Sequence, residues 1–170
     1  FLIALTVPYI FKDWKRVLLL VSIFTLGHTL SLVLAAYDLV RIDGQIIEFL
    51  IPVTILIVAL FNVLTAGKGA QKEKIGVLFF STLFFGLIHG LGFAREFHML
   101  AGKSDNKFFL LIEFALGIEI SQVIIVFTVL FLGFLAQTLF RLSKRDWIMV
   151  ISAIVVGLVI PMILNSDFLS

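Results

Sequence analysis

Hydrophobic residues run along this chain in long blocks that polar residues interrupt only briefly. The blocks define six apolar segments, which we letter A to F in chain order. They cover residues 1–11 (A), 17–37 (B), 45–66 (C), 75–94 (D), 108–140 (E) and 147–164 (F). A helix needs about 20 apolar residues to cross a bilayer, and segments B to F approach or exceed that length. The pattern predicts an all-α protein, a polytopic bundle of about six transmembrane helices in a single domain over residues 1–170.

Two segments depart from the length of one span. Segment A is too short to cross a bilayer, so we expect the last part of a helix whose start lies outside these 170 residues. Segment E is longer than one span requires and is expected to tilt or to extend past the membrane. The polar stretch 95–107 between D and E is expected to be a loop.

Composition supports a membrane protein and excludes several other classes. Charged residues make up only 14% of the chain and hydrophobic residues 61%, whereas soluble domains carry about 25% charged residues. A net charge of +2 is too small to indicate a nucleic-acid partner, and the expected surroundings are the lipid bilayer. Because the chain has no cysteine, disulfides, thiolate metal sites and cysteine nucleophiles are excluded.

Lysine and arginine are distributed unevenly between the two sets of loops. Loops A–B, C–D and E–F hold nine of them, and loops B–C and D–E hold four. Cytoplasmic loops carry the excess of positive charge in membrane proteins. We therefore expect an integral protein of the bacterial inner membrane whose basic loops are cytoplasmic. These loops contain Lys15, Arg16, Lys72, Lys74, Lys144 and Arg145.

Three ionisable residues lie deep in the apolar segments: His28 in B, His89 in D and Glu119 in E. An ionisable side chain at membrane depth is costly and indicates a functional site. Imidazole and carboxylate groups suit ions such as Ni, Co and Zn. We therefore predict that the three residues converge as ligands of a divalent transition-metal ion. The alternative is that each histidine only hydrogen-bonds a neighbouring helix and fixes the packing.

A second set of polar residues is expected to line a pathway or to orient the histidines, as groups around a metal do. The set comprises Glu48, Asn62, Ser31, Ser121 and Gln122. Hydrogen bonding between helices is the alternative for these side chains. Glu113 and His98 lie near an interface or in a loop and are expected to be solvated.

Segment D also contains three glycines around its histidine. Gly86 and Gly90 are four residues apart and therefore share a helix face. Together with Gly92 they are expected to let the backbone of a neighbouring helix approach closely.

Several of these residues lie in motifs that resemble the HupE/UreJ family. The motifs are FTLGHTLSL around His28, FGLIHGLGFA around His89, ALGIEISQ around Glu119 and Gln122, and a glutamate that opens a helix ending in an asparagine, here Glu48 and Asn62. Members of that family are small membrane proteins associated with hydrogenase and urease accessory functions. The resemblance also implies an upstream helix with His and Asp residues, which these 170 residues do not include.

The resemblance implies secondary transport of nickel or cobalt, and so a transporter rather than an enzyme. Buried histidines and acids also fit a membrane-embedded metal-dependent hydrolase, in which the metal would activate water and Glu119 or Glu48 would act as base. A third alternative is a partner subunit that transports nothing. The sequence leaves open the coupling ion and whether the protein forms homo- or hetero-oligomers.

Overall fold

The computed structural model describes residues 1–67, 75–101 and 106–169, and in this part of the chain it contains helices and no strand. The helices are Leu2–Thr6 (α1), Trp14–Ala36 (α2), Gly44–Thr65 (α3), Ile75–Gly92 (α4), Ala94–Ala101 (α5), Lys107–Thr138 (α6) and Lys144–Leu164 (α7), with a 3₁₀ turn at Phe11–Asp13. The prediction of an all-α bundle is confirmed. Segments A to F correspond in order to α1, α2, α3, α4, α6 and α7.

Four of the described helices are long and apolar enough to cross a membrane. They are α2 with its preceding 3₁₀ turn, α3, α6 and α7, and α4 is a shorter apolar helix between them. In the most apolar stretches of α6 and α7 only 22% and 17% of the residues are buried inside the bundle, which leaves apolar surface for contact with lipid. The chain is a multi-pass integral membrane protein.

Three of the long helices, α3, α6 and α7, begin at polar residues whose side chains bind their free backbone N–H groups. The Asp43 carboxylate accepts from the N–H of Gln45 at 3.0 Å, at the start of α3. The Asn106 side-chain oxygen accepts from the N–H of Phe108 at 3.1 Å, at the start of α6. Ser143 acts in the same way at the start of α7. These residues fix where the apolar helices begin.

The prediction of a loop over residues 95–107 is wrong for its first part, because Ala94–Ala101 forms α5. This helix is short and amphipathic, so its polar residues resembled a loop. Its Phe97 is completely buried in a cluster with Leu32 and Ala36 of α2. Residues 102–105 lie outside the described part of the chain.

The closest helix pair is α2 with α4. A Cβ atom added at Gly86 would overlap the carbonyl oxygen of Phe24, and one added at Gly90 would overlap the carbonyl oxygen of His28. Gly27 of α2 packs in the same way against the backbone of α4. The contacts follow the same order along both helices, so α2 and α4 run parallel. Their backbones touch because these positions have no side chain.

Helices α3 and α6 complete the surroundings of this pair. Gly92 faces α3, where a Cβ atom would lie 2.5 Å from the Cδ1 atom of Ile51. Helix α6 runs antiparallel to α2: Val17 and Val21 cluster with Val126 and Leu130, whereas residues near the end of α2 cluster with Leu111 near the start of α6. Helix α7 packs along α3.

Candidate functional site

A cavity of about 950 Å³ lies between α1, α2, α3, α4 and α6, and it is lined by the buried His28 and the half-buried His89. The remaining wall is mostly aliphatic and aromatic, with polar side chains only on α6. Those polar residues are Glu113, Ser121 and Gln122. The part of α6 that lines the cavity is its first half, so the cavity lies in the half of the bundle away from the α6–α7 turn.

His28 lies on the face of α2 that packs against α4, and its side chain is only 2% exposed. Among the residues that the structure describes, neither of its ring nitrogens has a hydrogen-bond partner. Leaving a buried polar group without a partner costs about 1–3 kcal/mol. An imidazole in this state on a cavity wall is a group to which a ligand can bind.

His89 lies on the same cavity and, unlike His28, has a partner. Its Nε2 atom is 3.1 Å from the hydroxyl oxygen of Thr54 on α3. The ring of Phe24 lies 5.3 Å from that of His89, and the ring of Phe93 lies 5.3 Å from that of His28. An aromatic side chain therefore packs beside each of the two imidazoles.

Glu119 does not line this cavity. Its Oε1 atom accepts a hydrogen bond from the Ser22 hydroxyl of α2 at 3.1 Å, and its Oε2 atom is buried with no partner among the described side chains and backbone groups. Within the described residues, no group of three His, Asp or Glu side chains could hold a metal ion. The two imidazoles share the cavity, whereas the Glu119 carboxylate faces α2, so metal ligation by all three residues stays a prediction.

The helical repeat explains this difference. Successive residues of an α-helix point about 100° apart. The residues of α6 on the cavity wall recur every three or four positions, and Gly117, Ile118 and Ser121 are among them. Glu119 follows Ile118 directly and therefore points to the side of α6 that packs on α2.

The predicted supporting residues have different positions. Gln122 is buried on the cavity wall and accepts a hydrogen bond from Thr25 at 2.6 Å. Ser121 also lines the cavity, but its hydroxyl donates to the carbonyl of Gly117 in its own helix. The Ser31 hydroxyl donates to the carbonyl of His28 at 3.0 Å and does not reach an imidazole.

Glu48 and Asn62, the two residues of α3 in this predicted set, lie at opposite ends of that helix. Glu48 is exposed in a second cavity of about 520 Å³, together with Asp38, Asp43 and His98. Asn62 is buried, and its amide donates to the carbonyl of Ala4 in α1 at 2.6 Å. For Asn62 the structure therefore shows hydrogen bonding between helices.

Sequence reasoning missed two residues of the site, Glu113 and Thr54. The sequence predicts that Glu113 is solvated. Its side chain is exposed, but it lines the cavity that His28 and His89 also line. Its spacing of four residues from Gly117, and of eight from Ser121, places all three on one helix face and could have indicated this. Nothing in the sequence around Thr54 indicates a contact with His89.

His98, the third histidine, is also expected to be solvated. It is exposed, and its Nε2 atom lies 3.2 Å from the carbonyl oxygen of Ala35, near the end of α2. It takes no part in the cavity of His28 and His89.

Comparison with known proteins agrees with the motif resemblance. A family model described as HupE / UreJ protein matches residues 1–165 of the 170. No curated protein and no solved structure gives a significant match. The matched region includes every helix described above and all the residues that line the cavity. The chain therefore belongs to the HupE/UreJ family.

Proposed function

We propose that this protein binds a divalent transition-metal ion at His28 and His89 and carries it across the membrane. The observation that carries the proposal is the unpartnered imidazole of His28 on the same cavity wall as His89. Neutral imidazole is a good ligand for Ni, Co and Zn, and the chain has no thiolate to compete with it. Membership of the HupE/UreJ family supports nickel or cobalt as the cargo.

Transport, rather than permanent binding, is supported by polar groups on both sides of the histidines. Towards one end of the bundle lies the cavity that contains Glu48. Towards the other end, the hydroxyl oxygens of Thr6 and Ser152 are buried and have no hydrogen-bond partner in the described part of the chain. Buried polar groups inside a membrane protein are typical of ion pathways. An ion can therefore meet oxygen or nitrogen atoms at several depths.

A divalent ion held by two neutral imidazoles needs a negative charge nearby. Glu113 supplies one on the cavity wall. Glu119, predicted from the sequence as the third ligand, could reach an ion only after leaving Ser22. We therefore propose Glu113 as the carboxylate that balances the charge in this conformation, with Glu119 as a residue that joins the site during transport.

Uptake of nickel, cobalt and zinc into proteoliposomes tests this proposal. We expect the wild-type protein to accumulate at least one of the three ions faster than protein-free vesicles. Glu113→Gln should slow uptake more than Ser166→Ala, a control change at a half-buried hydroxyl that lies outside the cavity and donates to the carbonyl of Ile163. If the wild-type protein binds the metal but does not carry it into the vesicles, transport is contradicted, and only the proposal of metal binding stands.

We further propose that the basic end of the bundle faces the cytoplasm. In the described part of the chain, Lys15 and Arg16 begin α2 and Arg145 begins α7, where it packs against Gly67 at the end of α3. Trp14 and Phe127 also meet at this end. The predicted cytoplasmic residues Lys72 and Lys74 lie outside the described residues.

Labelling with a membrane-impermeant maleimide tests this orientation. Because the chain has no cysteine, single cysteines at Lys15 and Leu39 give signals without background. Leu39 is 71% exposed, at the opposite end from Lys15. In intact cells we expect the Leu39→Cys variant to react and the Lys15→Cys variant to react only after the membrane is opened. The reverse pattern would show the opposite orientation.

A further inference from the structure

The contact between Thr54 and His89 determines which nitrogen of the imidazole can bind a ligand. Thr54 is 3% exposed, and its hydroxyl oxygen lies 2.7 Å from the carbonyl oxygen of Ile51 and 3.1 Å from Nε2 of His89. A hydroxyl has one hydrogen to donate and two lone pairs that accept. A carbonyl oxygen can only accept, so the hydrogen of Thr54 goes to Ile51.

The hydroxyl oxygen of Thr54 can then act towards His89 only as an acceptor. The Nε2 atom of His89 must therefore carry a hydrogen and donate it to Thr54. A neutral imidazole has one N–H group, so its other nitrogen, Nδ1, keeps the free lone pair. This lone pair is what a metal ion needs.

The local sequence of α3 holds Thr54 in this position. A threonine hydroxyl that bonds to a carbonyl three residues earlier is fixed in one side-chain rotamer, and the branched Cβ limits the alternatives further. Pro52 lies between Ile51 and Thr54 and is itself buried. Its ring restricts the backbone of this turn. The acceptor is therefore in place before any ligand arrives.

We infer that Thr54 is a positioning residue, which holds His89 as the Nε2–H tautomer and makes Nδ1 the nitrogen that binds the ion. The metal-binding part of this inference rests on the proposed function, whereas the tautomer does not. Groups that hydrogen-bond the second nitrogen of a metal-binding histidine fix its tautomer and orientation in many metal sites. Here that group is a hydroxyl on a neighbouring helix.

The tautomer is tested first, on metal-free wild-type protein with isotope-labelled histidine. Nitrogen NMR distinguishes protonated from unprotonated ring nitrogens, and the His89→Gln variant identifies the signals of His89. We expect Nε2 to be protonated and Nδ1 unprotonated. A protonated Nδ1 in neutral His89 would overturn the inference, whether or not the protein binds metal.

Metal affinity is then compared among three variants of α3. Thr54→Val removes the hydroxyl at almost constant volume and should weaken nickel, cobalt or zinc binding about 10–100-fold. Thr54→Ser keeps the hydroxyl and should restore both affinity and tautomer. Thr65→Val is the matched control, because the Thr65 hydroxyl bonds only to the carbonyl of Phe61 in the same helix.

These results separate the two proposals. If the wild-type protein has the expected tautomer but binds no metal, the proposed function is contradicted. The inference that Thr54 orients His89 would still stand. If Thr54→Val keeps both the metal affinity and the tautomer of the wild type, the inferred role of Thr54 is rejected. The proposed metal site would then still stand.

Discussion

Replacing either His28 or His89 by alanine should remove metal binding while the helical bundle stays folded. Each replacement removes one of only two imidazoles on the cavity wall. The loss should exceed the about 10–100-fold that removal of a supporting group causes. Titration of purified protein with nickel, cobalt or zinc measures it. Acidification should weaken binding by the wild-type protein as well, because protons compete with the metal for neutral imidazole.

The two variants should differ in stability, and this difference tests the structure independently of the metal. The His28 ring has no hydrogen bond to lose, so its removal also removes an unsatisfied buried group. His89→Ala removes the hydrogen bond to Thr54. Its free energy of unfolding should therefore fall by about 1 kcal/mol more than that of His28→Ala, which loses no such bond. Thermal unfolding of both metal-free variants measures this.

His98→Ala is the matched control for both measurements. His98 is exposed, and its ring bonds to the carbonyl of Ala35 outside the cavity. We expect this variant to bind metal like the wild type. If the histidines only fix helix packing, the wild type would itself hold only background metal, and His28→Ala and His89→Ala would not lower the metal content further.

Replacing Gly90 by alanine should damage both the stability of the protein and its metal site. The new Cβ atom would overlap the carbonyl oxygen of His28 and the hydroxyl of Ser31. Because the backbone of a helix cannot move at one residue alone, α2 and α4 must move apart. Overpacking of this kind lowers the free energy of unfolding by about 1–3 kcal/mol. Because His28 and His89 lie on these two helices, their separation should also weaken metal affinity.

Gly157→Ala in α7 is the matched control for Gly90→Ala. A Cβ atom at Gly157 meets no atom within 4 Å, and alanine is the better helix former by about 1 kcal/mol. We expect Gly157→Ala to be as stable as the wild type or more so in thermal unfolding. A Gly90→Ala variant with wild-type stability and metal affinity would contradict the close packing of α2 and α4.

Hydrophobicity along the chain was sufficient to predict the long helices and the depth of the two histidines. Their depth depends only on position within an apolar block, and blocks of this length have few other folds available in a bilayer. The amphipathic helix α5 was missed because a short helix anchored by the buried Phe97 differs little in composition from a polar loop.

The rotation of each helix about its axis could not be predicted in the same way. Lipid is as apolar as the side chains between helices, so the hydrophobic pattern does not distinguish the lipid face from the packed face. For this reason Glu119 was predicted to face the histidines, whereas Glu113 lines the cavity. Thr54 could not be recognised because a threonine within an apolar helix usually bonds to its own backbone.

Elemental analysis of purified protein tests the metal site most directly. Wild-type, His28→Ala and His89→Ala proteins are equilibrated with the same mixture of nickel, cobalt and zinc, separated from free ions, and analysed for metal per chain. We predict stoichiometric metal in the wild type and background metal in both variants. Full metal occupancy in both variants would show that the two histidines are not ligands.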